Sequence, residues 1–150
     1  MGRNPAALIL RKAKMPYHIE YDKVEKIIVT TVKGEMQLVD LIKVGLGIAR
    51  LVKQSGCTML LIDILEAELL LSLLDVNVFL GAAFETIHAA GVDFYALRQA
   101  LLTREDQEIP QLLETIGTEH GLKVKVFQDR AEARTWLKDE TSADELRVVN

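Results

Sequence analysis

The sequence predicts an α/β domain in the order ββαβαβαβα: an N-terminal antiparallel hairpin, then a mostly parallel sheet with packed helices. Three observations carry this. Two strand-like runs, Tyr17 to Asp22 and Ile27 to Val32, stand either side of a short polar turn. From Leu38 onward, helical periodicity alternates with apolar runs, as right-handed crossovers between parallel strands require. The third is scale: 150 residues, 49% hydrophobic and 27% charged, suit one domain with one core.

Tyr17, Ile19 and Tyr21 alternate with His18, Glu20 and Asp22, the period of a half-buried strand. Asp22 to Glu25 forms the turn, and the β-branched run from Ile27 to Val32 supplies the second strand, ended at Gly34. Leu38, Leu41, Ile42, Ile48, Ala49 and Val52 then line one side of a helix. Asp40, Lys43, Gly47, Arg50 and Gln54 mark the other, and Ser55-Gly56 stops it. Gly45 and Gly47 each cost such a helix about 1 kcal/mol relative to alanine, a loss that close packing is expected to offset. Their Gly-Leu-Gly pattern lies inside a helix and follows no strand, so it is no dinucleotide loop.

Thr58 to Ile62 is apolar without alternation and ends in Asp63, as a strand covered on both faces requires. Residues 64–71 read as a connection. Ser72 and Asp75 have capping-box spacing for a helix that runs to about Ala90 and stops at Gly91. Strand character resumes at Phe94 and continues towards Leu102. Ile109, Leu112, Leu113 and Ile116 form the next amphipathic face, with Pro110 in the first turn and Gly121 past the end. Leu122, Val124 and Val126 alternate with Lys123 and Lys125, a charged pattern suited to an edge strand. Asp129 and Glu132 predict a second capping box, and Ala133, Trp136 and Leu137 the packing face of a last short helix.

Charge and composition exclude several classes. A net charge of −4 and a pI near 5.4 argue against nucleic-acid binding by phosphate neutralisation. One cysteine, Cys57, excludes an internal disulfide and a multi-cysteine zinc site and fits a reducing compartment. No stretch reaches the roughly 20 apolar residues that span a bilayer, and no secretory pattern is present, so a cytoplasmic location without stable membrane insertion is expected. Residues 1–15 read as a flexible leader, 16–138 as a single domain, and 139–150 as a polar tail.

The run Gly121-Leu122-Lys123-Val124-Lys125-Val126-Phe127-Gln128-Asp129, continued by Ala133, Trp136 and Leu137, resembles the STAS/SpoIIAA-like superfamily. It looks most like an uncharacterised bacterial branch that opens with a tyrosine-rich hairpin and closes on this pattern. The strand from Leu60 to Asp63 matches the family habit of ending the third strand in aspartate. The resemblance covers about residues 16 to 138 and implies a sheet with packed helices. In the anti-sigma-factor antagonists of this superfamily, a serine opening the second helix is phosphorylated within an approximate Asp-Ser-Ser-Gly-Leu motif. Only Ser72 and Leu73 carry that motif here. The resemblance also implies a partner docked near this helix start, and distant members are grouped with lipid-carrying domains.

Residues 65–84 are the most informative stretch. Leu69, Leu70, Leu71, Leu73, Leu74, Val76, Val78, Phe79, Leu80 and Phe84 exceed what one helix face can bury, since a stripe a little over 100° wide suffices against a sheet. Surplus apolar side chains left in water mark a contact surface; folded back, they would be internal cover. Leu69, Leu70, Leu73, Leu74 and Phe79 are therefore the candidate binding residues. Asp63 and Arg104 join them at the carboxyl edge of the sheet, where α/β folds bind ligands; the alternative there is that Asp63 holds the following loop and Asp129 caps its helix. Ser72 is an N-cap or a phosphosite. His18, His88 and His120 have no partners at metal-ligand spacing, and Cys57 lacks an adjacent base. No cofactor is implied, and no catalytic constellation is visible, leaving an unspecified hydrolase as the remote enzymatic alternative. The functional reading is a non-catalytic regulatory or interaction domain that pairs with itself or another protein through residues 65–84. The alternative is a carrier of a small apolar or lipid-like ligand.

Overall fold

Period-two patterning builds the expected hairpin. Strand β1 (Tyr17–Asp22) pairs antiparallel with β2 (Ile27–Met36), Tyr17 opposite Val32 and Asp22 opposite Ile27. The computed structural model describes residues 17–139; the expected leader and nearly all of the expected tail lie outside the described residues. After the hairpin come α1 (Leu38–Ser55), β3 (Met59–Leu69), α2 (Leu73–Ala89), β4 (Arg98–Leu102), α3 (Glu108–Glu119), β5 (Lys123–Phe127) and α4 (Arg130–Lys138). The sheet order is β1-β2-β3-β4-β5, with every pair after the hairpin parallel. The order ββαβαβαβα is the one the sequence predicts.

Two cores sandwich the sheet. On the first face, α1 and α2 pack over Ile28, Val32, Leu60 and Ile64, and α3 sits tightly on β5: a Cβ at Gly117 would come within 2.9 Å of Val124 Cγ1. On the second face, α4 is the sole helix among the described residues, and its Ala133 and Leu137 close over Ile27, Leu61, Ala100 and Leu102. That helix is also held by a buried cation. Arg98, 4% exposed, lies with its guanidinium 4.0 Å from the Trp136 ring centre and donates from Nη2 to the Trp136 carbonyl at 2.6 Å. Stacking and the negative C-terminal end of a helix both favour a guanidinium there.

Five sequence expectations are corrected. β2 does not end at Gly34 but passes through it, at φ +79°, to Met36. β3 does not end at Asp63 but runs on to Leu69, so residues 64–69 are strand rather than connection. The pairing explains the error. Thr31 faces Asp63 and Lys33 faces Glu66, so β3 carries one extra residue there, a β-bulge. The bulge reverses which parity faces the first core: Leu60, Ile62 and Ile64 before it, Ala67 and Leu69 after it. Phe94–Ala96 is a 3₁₀ turn capped by Asp93 rather than strand. Asp129 caps α4 through the Ala131 N–H at 3.2 Å, without a reciprocal bond from Glu132. Gly47 lies against β1 rather than on the polar side, because a Cβ there would come within 2.6 Å of Ile19 Cδ1.

Candidate interaction surface

The surface begins where β3 leaves the sheet. The Leu70 N–H donates to the Met36 carbonyl at 2.9 Å, the last tie to β2. Ser72 then caps α2: the Asp75 N–H donates to Ser72 Oγ at 3.1 Å and the Ser72 N–H to Asp75 Oδ2 at 3.0 Å. This closes the predicted capping box and gives Ser72 a structural task. Fixing the helix start fixes the direction in which the following leucines project.

Those leucines divide. Leu69 and Phe79 are half-buried against the first core. Leu70, Leu73 and Leu74 stand in water at 48%, 60% and 71% exposure, joined by Val78 and Phe84. Within α2 only Val76 and Ile87 are buried. The apolar surplus thus lies on the outer side of α2 and on the segment that leads into it. Glu66, Glu68 and Asp75 lie beside it in sequence.

Beneath α2, between it, α1 and the sheet, is a cavity of about 120 Å³. Phe79, Ala83, Ile48 and Leu101 are among its lining residues, and of all its lining side chains only Thr86 and Gln99 are polar. A second, larger groove of about 410 Å³ runs between α2 and α3, past Phe84, Tyr95 and His120. Phe84 meets both Phe94 and Tyr95 edge to face, with ring centres 5.8 and 5.6 Å away.

Asp63 and Arg104 stand apart from the leucines in function. The Asp63 carboxylate accepts from the Leu65 N–H at 3.0 Å and pairs with the Arg130 guanidinium. Arg104 donates to the Leu65 carbonyl and pairs with Glu68 and Asp106 at 3.1 and 3.0 Å. Gln107, which the sequence reading passed over, is buried and donates from Nε2 to the carbonyls of Ile64 and Ala67 at 2.8 and 2.9 Å. All three side chains converge on the bulge of β3, so this polar end of the sheet is occupied by its own backbone groups. Arg98 was likewise missed. Its partner Trp136 is remote in sequence, and no local pattern marks it.

Cys57 is buried, with Sγ 3.2 Å from the Lys26 carbonyl. His18, His88 and His120 are exposed, and among the described residues no three His, Cys, Asp or Glu side chains could share a metal. No helix of the described residues is long and apolar enough to cross a membrane.

No family model matches the chain, and no curated protein matches it. Solved structures do. An uncharacterised protein of the DUF3478 family with a SpoIIAA-like fold, from Shewanella loihica PV-4, is 19% identical. The match covers 81% of this chain and 91% of that one, with a TM-score of 0.50. An anti-sigma factor antagonist from Mycobacterium paratuberculosis is 15% identical over 83% of this chain and 97% of that one, with a TM-score of 0.54. Together with the strand order and the two helical layers, these likenesses show that the chain has the SpoIIAA-like fold.

Proposed function

We propose that this chain is a non-catalytic regulatory domain that docks a protein partner through Leu70, Leu73, Leu74 and Val78. The observation that carries the reading is the exposure of Leu73 and Leu74 at the start of a well-capped helix. Adjacent large apolar side chains in water mark contact surfaces, whereas single scattered ones do not. The fold likeness to an anti-sigma factor antagonist agrees with it.

The double change Leu70→Glu, Leu74→Glu tests this. Because both side chains already face water, the unfolding free energy should move by no more than about 1 kcal/mol, while association with the partner, remeasured between purified components, is lost. A destabilisation above about 3 kcal/mol would place these side chains in the core and end the reading.

The cavity under α2 favours a second reading, a site for a small apolar ligand. Its volume approaches that of the roughly 150 Å³ engineered apolar cavity that stays dry and admits benzene. Native mass spectrometry of the chain purified from cells is expected to show a bound adduct, which Ala83→Leu, by filling the space, removes. A clean apo mass for the unaltered chain would end this second reading.

A further inference from the structure

The cavity beneath α2 has one feature that a purely apolar void does not need. Gln99 stands on β4 between Leu60 of β3 and Val124 of β5, and all three line the cavity. Every other lining side chain except that of Thr86 is apolar, and none is charged. Gln99 is half-buried, and among the described residues neither its side-chain amide nor the Thr86 hydroxyl has a hydrogen-bond partner. An amide on the covered face of a central strand gives up water when the chain folds, a loss that a leucine there would avoid. Gln107 shows the contrast, since its amide is bonded to two backbone carbonyls.

The space is also kept open. At Gly45, on the α1 wall of the cavity, an added Cβ would meet nothing within 4 Å. This glycine, unlike Gly47, leaves room rather than allowing a close approach. The lining crosses four neighbouring strands, from Val32 on β2 to Val124 on β5, a span of about 14 Å at the usual strand spacing. A volume of about 120 Å³ drawn out over that span suits an unbranched chain better than a ring.

We infer that the cavity takes a neutral, unbranched aliphatic alcohol of about six carbons, and that Gln99 is the residue that selects it. This rests on the ligand-site reading above and names the ligand class. A side-chain amide both donates and accepts, and a hydroxyl can answer it in either sense. A carboxylate or an ammonium group would enter without a counter-charge, because no lining residue is ionisable. An unpaired charge in so apolar a space is strongly disfavoured. Fatty-acid anions and amines are thereby excluded, although the hydrocarbon part of each would fit.

Nuclear magnetic resonance titration of the full chain with benzene, hexan-1-ol and hexanoate separates these statements. Benzene reports only whether the apolar space is open, and it is expected to bind. Hexan-1-ol is expected to bind as well, and hexanoate, ionised at neutral pH, about 100-fold more weakly than the alcohol. Gln99→Leu should weaken hexan-1-ol about 10-fold, the loss of one hydrogen bond, and leave benzene within about twofold. Should that variant fail to fold, Gln99→Met carries the same expectation. Hexanoate binding as tightly as hexan-1-ol overturns the neutral ligand class. Unchanged hexan-1-ol affinity in the variant overturns the role of Gln99. In either case, benzene binding leaves the apolar ligand site standing; if neither benzene nor hexan-1-ol binds, the site and this inference fall together.

Discussion

Leu137→Ala is expected to destabilise the fold by about 4 kcal/mol, towards the upper end of the range for buried leucine truncation. Leu137 is fully buried in α4, a nine-residue helix that is the sole helical cover of the second face among the described residues. Its neighbours Ile27, Leu61, Ala100 and Leu102 belong to hydrogen-bonded central strands, so they cannot move in to fill the space. The helix is too short to persist without that packing, since isolated helices under about 12 residues are marginal in water. Urea unfolding checks the value, with the exposed Thr135→Ala as control. A loss below about 1 kcal/mol would mean that Arg98 and Trp136, rather than the apolar pair Ala133 and Leu137, hold α4 down.

Gln107→Leu is expected to cost about 3 kcal/mol, because a single buried side chain serves three backbone groups and each abandoned buried group costs about 1–3 kcal/mol. Its Nε2 donates to the carbonyls of Ile64 and Ala67, and its Oε1 accepts from the Arg104 N–H at 2.7 Å. The two carbonyls flank the bulge, where the ladder to β2 loses register. Gln107→Glu retains the shape and the acceptor for Arg104 but sets carboxylate oxygens against two carbonyl oxygens. It should be at least as damaging as leucine. If both variants unfold at the denaturant concentration of the parent chain, water replaces the amide and the bulge is self-supporting.

The legible parts of this fold are those where one period holds over a whole element. Leu41, Ile48, Ala49 and Val52 mark α1, Gly56 and Gly121 mark helix stops in the left-handed conformation, and Ala133 and Leu137 mark α4. β3 was misjudged because its bulge shifts the apolar parity between Ile64 and Ala67, which reads as the end of a strand. Gly34 misled for a related reason: its positive φ suggests termination, yet β2 pairs through it with Ala67. In the candidate surface, the leucine surplus was countable from sequence alone. Which leucines lie outside was not, because Leu69 and Leu70 differ only in where β3 leaves the sheet. Gln107, Arg98 and Trp136 act through partners some forty residues away, a separation at which no spacing rule operates.

The chain has one tryptophan, Trp136, and it lies under a guanidinium on the helix that roofs the second face. Indole emission is therefore a local gauge of that roof. Lifting α4 off the strands would shift the fluorescence to longer wavelength before α1, α2 or α3 loosened, and circular dichroism at far-ultraviolet wavelengths would lag behind it. Any difference between the two melting curves would measure how independently the two layers come apart.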